Sequence, residues 1–161
     1  RLQQHYHKGM LRKLGLKESR DGDKALIDDL LKLLDINRVD YTRFFRALCD
    51  FDESAEKNPL RDEFPDRNGF DDWARRYTER LRAEGSLREQ RQTEMKQINP
   101  KYILRNYLAQ QAIEQAEGGD YSEIERLHRL LQKPFDEQPE NERYAAAPPE
   151  WSEALAISCS S

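Results

Sequence analysis

An all-α fold of about six or seven helices is what this sequence predicts, and three observations carry the prediction. Apolar residues recur at helical spacing in successive stretches, cap and stop residues bracket those stretches, and the composition suits short helices with wide solvated faces. Hydrophobic residues make up 37% of the 161 positions and charged residues 36%. A compact chain of this length buries roughly 68–70% of its unfolded surface, enough for a real core.

The first helix is read over residues 2–14, where Leu2, Tyr6, Met10 and Leu14 recur at i, i+4, i+8 and i+12 before Gly15. His5 and His7 lie two apart on it and so on different faces, which argues against joint metal chelation. Asp21-Gly22-Asp23 superficially suggests a calcium loop, but Ala25, Leu26 and Ile27 stand where oxygen ligands are needed. A turn with Asp23 as N-cap is the expectation.

Leu26, Ile27, Leu30, Leu31, Leu33 and Leu34 place a second helix in the core. Asp40 caps a third, whose Tyr41, Phe44, Phe45 and Leu48 form an aromatic stripe with Cys49 at its border. An unpaired cysteine there reads as a small buried hydrophobe. Residues 52–69 carry two prolines and the Asn68-Gly69 turn signal and read as the longest loop. Helical spacing returns with Phe70, Trp73, Ala74, Tyr77 and Leu81.

From Arg75 to Arg91 arginines are dense, but glutamates interrupt them. The pairs Arg75–Glu79, Arg80–Glu84 and Glu84–Arg88 are i, i+4 contacts of a solvated face, each worth ~0.2–0.5 kcal/mol. Gly85-Ser86 divides this stretch into two helices, the second weakly apolar. The strongest start signal is Asn99-Pro100, which predicts a helix over 99–117 with Leu104, Leu108, Ala109, Ala112, Ile113 and Ala116 on a broad apolar arc. Gly118-Gly119 ends it and Asp120 opens the next. There Tyr121, Ile124, Leu127, His128 and Leu131 share a face, with Ser122 and Glu125 as a capping box. His128 reads as a packed residue rather than a catalytic base. Pro134 stops that helix, so the organisation is a helical domain over 1–133 and an extended tail over 134–161 anchored by Trp151 and Ile157.

The net charge of -4 supplies no global attraction for nucleic acid or anionic membranes. No nucleic-acid partner and no membrane are expected: no apolar run approaches the roughly 18–20 residues of a span, and no signal-peptide pattern is present. Two cysteines, Cys49 and Cys159, are too few for a disulfide framework. Glycine-rich phosphate loops, the G-x-S-x-G elbow, H-E-x-x-H, kinase catalytic-loop and Cys-x-x-Cys patterns are all missing. The residues themselves describe a helical domain with no recognisable active site. Its uncapped start at Arg1 is read as the mark of a piece of a longer protein.

Four runs together carry a family resemblance: VDYTRFFRALCDF at 39–51, NPKYILRNYLAQQAIEQA at 99–116, LHRLLQKPF at 127–135 and PPEWSEALAISCSS at 148–161. They resemble the C-terminal part of selenoprotein O, a family also called YdiU. The resemblance implies a protein-kinase-like parent that acts as an adenylyltransferase, moving AMP from ATP to serine, threonine or tyrosine hydroxyls with Mg or Mn. It implies that this chain corresponds to C-lobe helices and the C-terminal tail, with the ATP-gripping, metal-binding and catalytic residues in the preceding sequence. No catalytic, cofactor or metal residue is therefore assigned here. The partners implied are the remainder of the same polypeptide and the parent's protein substrates, in bacterial cytoplasm or, for a eukaryotic source, mitochondria.

One position carries over. Cys159, third from the end, matches the place of the family's selenocysteine or cysteine, which implies a redox-regulatory disulfide with a cysteine outside this chain. A simple exposed thiol is the equal alternative. Two rival readings stand beside the adenylyltransferase one: a free-standing helical interaction module using exposed aromatics such as Trp151, and helical nucleic-acid binding through Arg75 to Arg91.

Overall fold

The computed structural model describes residues 1–153. Among them are seven α-helices and three 3-10 turns: α1 (Leu2–Lys13), α2 (Asp23–Ile36), α3 (Tyr41–Leu48), α4 (Arg67–Glu84), α5 (Arg88–Ile98), α6 (Asn106–Glu117) and α7 (Ser122–Leu131), with turns at Pro59–Glu63, Pro139–Ala145 and Glu150–Ser152. No described residue lies in a strand, so the all-α expectation holds. Among the described residues no helix is long and apolar enough to cross a membrane. The chain divides into two compact units, one over 1–99 and one from residue 100 onward.

In the first unit α2 packs on α4, and α1 on α2 and α5. Of the aromatic stripe of α3, Phe44, Phe45 and Leu48 are buried as predicted, whereas Tyr41, at the first position of the helix, is 41% exposed. Phe44 meets Phe45, Phe64 and Trp73 edge-on, while Trp73 stacks on Tyr77 with ring centroids 4.9 Å apart. Aromatic packing of this kind buries large area while the polar tips need partners. Trp73 Nε1 donates to the Leu26 carbonyl at 3.0 Å and the Tyr77 hydroxyl to the Leu14 carbonyl at 2.7 Å. Both bonds join helices distant in sequence.

Several boundaries differ from the sequence expectation, each for a local reason. Asp40 caps α3 as read, accepting from the Arg43 amide at 2.9 Å. Gly22, with φ 92°, precedes α2 in the left-handed region, and Asp23 is the first helical residue rather than the cap. The Asn68-Gly69 pair is no turn: α4 begins at Arg67, because Asp66 accepts from the Gly69 amide at 2.9 Å. A Cβ at Gly69 would lie 2.3 Å from an oxygen of that capping carboxylate, so a larger residue there would push the cap aside.

Asn99-Pro100 does not start a helix. Asn99 ends α5 and is fully buried. Its Nδ2 donates to the Lys13 carbonyl at 3.0 Å, and its Oδ1 accepts from Lys13 Nζ at 3.3 Å. Residues 100–105 run without helix, because the Lys101 and Tyr102 amides both donate to the Pro134 carbonyl, at 2.9 and 3.2 Å. Tertiary bonds there outweigh the local cap signal.

The second unit packs α6 on α7 around Tyr102, Tyr107, Leu108, Ala112, Leu127, Leu130 and Tyr144. The arc expected on α6 is narrower than read, since Leu104 precedes the helix and Ile113 is 54% exposed. The face of α7 is rotated: Glu123, Leu127 and Leu130 point inward, whereas Tyr121 and Ile124 are exposed. Asp120 supplies the cap function by accepting from the Ser122 amide at 2.9 Å.

Candidate functional site

Cys159, the redox candidate, lies outside the described residues, as does the anchor Ile157. The other anchor, Trp151, meets the Tyr107 ring edge-on at 5.9 Å and keeps about half its surface exposed. Of the three histidines, His5 and His128 are exposed. His7 Nε2 is 3.2 Å from Ser19 Oγ, and His128 Nε2 is 3.1 Å from Gln132. The His7–Ser19 contact lies at the exposed surface. Arg105 and Asn106 stand at the start of α6.

Cys49 is the buried thiol its sequence context suggests, at 1% exposure. Its Sγ donates to the Phe45 carbonyl at 3.3 Å and accepts from Asn99 Nδ2 at 3.7 Å. Burial is the largest influence and raises its pKa, outweighing the lowering effect of the Asn99 bond and Arg46. A raised pKa leaves little thiolate and an unreactive sulfur.

Three buried ionic clusters fix the helices. Arg80 pairs with Asp23 and reaches the Glu18 carbonyl at 2.7 Å, while Glu84 accepts from the Lys17 and Glu18 amides at 3.0 Å each. Arg91, 2% exposed, pairs with Glu53 at 2.7 Å and donates to the Ser86 hydroxyl at 2.9 Å. In the second unit the Tyr144 hydroxyl donates to Glu123, which also takes Arg143 and Arg126. Burial pulls the pKa of Glu123 upward, yet its bonds to Tyr144 and Arg143 win and hold it below the ordinary value.

A groove of about 740 Å³ runs along the first unit, lined among others by Asp52, Glu53, Lys57, Arg61 and Arg75. Its arginines are neutralised in place. Arg61 grips Asp71 at 2.8 and 3.0 Å, and Arg75 pairs with Asp72 and Glu79 at 2.9 Å each. The Arg75–Glu79 pair is the solvated contact predicted. Arg80 instead turns inward, with Glu84 at 3.5 Å, and Arg88 reaches Asp52 at 2.7 Å rather than Glu84. Dense arginine here serves packing and ion pairing. Among the described residues no group of three His, Cys, Asp or Glu could hold a metal ion.

Sequence reasoning missed Arg91, Glu123 and Tyr144. Their common signal was a charged or phenolic residue at a core-facing register, which periodicity of apolar residues does not count.

Comparison with known proteins adds what the geometry lacks. A family model described as Protein adenylyltransferase SelO matches residues 1–132. The chain is 52% identical over 159 residues to Protein nucleotidyltransferase YdiU of Myxococcus xanthus, covering 98% of this chain and 33% of that one. It is 53% identical over 152 residues to the Stutzerimonas stutzeri protein of the same name, with 94% and 31% covered. For the Thioalkalivibrio sulfidiphilus protein the identity is 55% over 149 residues, with 92% and 30% covered. The chain thus spans about a third of the length of the curated relatives it matches. A family match over most of the chain, joined to identities above one half, places this chain in the SelO family of nucleotidyltransferases.

Proposed function

We propose that this chain is the C-terminal helical region of a protein adenylyltransferase whose whole polypeptide transfers AMP from ATP to serine, threonine or tyrosine hydroxyls of proteins. The observation that carries the reading is the family match over residues 1–132, supported by relatives named nucleotidyltransferases. Transfer of a nucleotidyl group needs positioned phosphates and a divalent cation, Mg or Mn, to offset developing charge. Among the described residues no group of three His, Cys, Asp or Glu could hold that cation. The carboxylates of Asp23, Glu53 and Glu84 are bonded to arginines or backbone amides, and no step is assigned to them. The work proposed for the chain is scaffolding of a kinase-like lobe by 1–133, with the tail over 134–161 presenting Cys159.

Cys159 is proposed as a redox-regulatory thiol whose disulfide partner lies outside this chain. Cys49 is a poor partner because it is buried and held as a thiol. Non-reducing peptide mapping of the oxidised full-length parent tests this: a disulfide from Cys159 to a cysteine outside residues 1–161 supports the role, and an unmodified thiol removes it. The transferase reading is tested by peptide mass spectrometry of an acceptor protein after incubation with the parent and ATP. AMP on a hydroxyl side chain supports it; phosphate there would mark a kinase.

A further inference from the structure

Two places in the chain set glycine after Asp or Asn: Asp21-Gly22 and Asn68-Gly69. At such pairs the backbone can attack its own side chain, because glycine has no Cβ to crowd its nitrogen as it nears the side-chain carbonyl carbon. In an unfolded chain near neutral pH Asn68 is the faster of the two, since a neutral amide is attacked more readily than a carboxylate. The fold reverses that order. Asn68 lies in the first turn of α4, and the Gly69 amide donates to Asp66 Oδ1 at 2.9 Å. An amide so bonded keeps its proton, and a helical ψ of about −42° holds it away from the Asn68 side chain.

Asp21-Gly22 stands in the opposite condition. Both residues are exposed in the turn before α2. Neither the Asp21 carboxyl nor the Gly22 amide makes a hydrogen bond or ion pair among the described residues. Gly22 has φ 92°, and nothing lies within 4 Å of where its Cβ would be, so the pair has room to turn. Its neighbours are fastened. The Arg20 amide donates to Asp23 Oδ2 at 2.8 Å, the Asp23 amide donates to the Arg20 carbonyl at 3.2 Å, and Asp23 is gripped by Arg80.

We propose that Asp21 is a site of spontaneous covalent modification, isomerising to isoaspartate in the folded protein, while Asn68 is spared. The Gly22 nitrogen bonds to Asp21 Cγ, the Cγ–OH bond breaks, and the hydroxyl leaves as water with the amide proton. A succinimide ring remains. Water then opens the ring on either side of the nitrogen. Cleavage at Cγ restores aspartate, whereas cleavage at the backbone carbonyl carbon leaves an isoaspartyl link through Cβ and Cγ with the carboxylate on Cα. One water is lost and one regained, and nothing is oxidised or reduced. The isoaspartyl link adds one carbon to the chain path between Arg20 and Asp23, inside a turn closed by two hydrogen bonds. Isomerisation therefore loosens Asp23, the residue through which Arg80 sets the start of α2.

The test ages the full-length parent at physiological temperature and neutral pH, folded and in guanidinium chloride. Isoaspartate is then read peptide by peptide as methyl transfer from labelled S-adenosylmethionine by an isoaspartyl methyltransferase. In the folded sample the peptide carrying Asp21 should gain label at least tenfold faster than the one carrying Asn68, and in guanidinium the order should reverse. Reaction by way of global unfolding would label Asn68 first, so the order of the two peptides reports which state reacts. Asp21→Glu keeps the charge, breaks no bond of the fold and closes its larger ring far more slowly, so it should remove the label from that peptide. Amide exchange at Asp23 should quicken several-fold in the aged, isoaspartyl fraction. An Asp21 peptide that stays unlabelled in the folded parent overturns the proposal, as does faster labelling of Asn68 there. Label that persists in Asp21→Glu overturns the assignment to Asp21, and unchanged exchange at Asp23 overturns the loosening.

Discussion

Arg80 on α4 holds Asp23, the first residue of α2, in a two-pronged ion pair, with Nε 2.6 Å from Oδ1 and Nη2 3.1 Å from Oδ2. The same Nη2 donates to the Glu18 carbonyl, and the Arg20 amide donates to Asp23 Oδ2 at 2.8 Å. One guanidinium thus sets where the connection after α1 ends and where α2 begins. The pair is almost closed to water, with side-chain exposures of 10% and 1%.

Removing Asp23 leaves Arg80 only Glu84 at 3.5 Å and the Glu18 carbonyl. Asp23→Ala should destabilise the first unit by less than the ~3–5 kcal/mol of a buried charge left wholly unpaired, because Glu84 remains beside Arg80. Urea unfolding monitored by Trp73 fluorescence measures it. A midpoint unchanged from wild type would show that water already solvates Arg80.

Gly15 makes a sharper pair of variants. Its φ of 70° lies in the left-handed region, and a Cβ there would sit 2.6 Å from Arg91 Cγ and 2.8 Å from Met95 Sδ. Gly85 has nearly the same backbone, φ 66°, with nothing within 4 Å. Gly85→Ala should therefore cost only the backbone penalty of ~1–2 kcal/mol. Gly15→Ala should cost more, because it also displaces Arg91 from Glu53. Equal shifts in melting temperature would refute the steric argument.

How far the sequence could be read follows the kind of signal each residue carries. The apolar period on α2 and α3 located those helices and their buried faces, because aliphatic and aromatic side chains there do nothing but pack. On α7 the same reasoning chose a face rotated from the buried one, since the inward position 123 is a glutamate whose partner, Tyr144, comes from 21 residues further on. Asn99 misled for the same reason: its polar side chain was credited to a local cap, and it bonds Lys13, 86 residues away. The candidate site was legible only through resemblance. Among the described residues no group of three His, Cys, Asp or Glu could hold a metal ion, and Cys159 lies outside them.

The carboxylates Asp23, Glu53 and Glu123 have pKa values below their ordinary ones. In each, burial is the largest influence and works upward, and the arginine or tyrosine bonds prevail. A depressed native pKa contributes stability that is fully present above the unfolded value of about 3.9–4.3 and is lost as pH falls through the native value. Stability should therefore be flat from neutral pH to about 5 and fall steeply below about 4. Glu123→Gln should flatten part of that fall in the second unit. A decline centred near pH 6 would contradict this assignment to carboxylates.

Cys49 should be silent to thiol reagents in the folded chain and react only on opening, since its sulfur is buried and its pKa raised. Labelling with dithionitrobenzoate, with and without urea and in a Cys159→Ser background, tests this. Rapid native labelling would contradict the packing described for α3.

The proposed division of labour gives nucleotidyl transfer to the whole polypeptide and scaffolding to this chain. The most direct measurement incubates the full-length parent and this chain in parallel with ATP labelled on either the α- or the γ-phosphate, with Mg or Mn and a protein acceptor. Acceptor label is expected from the α-phosphate alone, with the parent and not with this chain. Label from the γ-phosphate, or any transfer by this chain by itself, would contradict it.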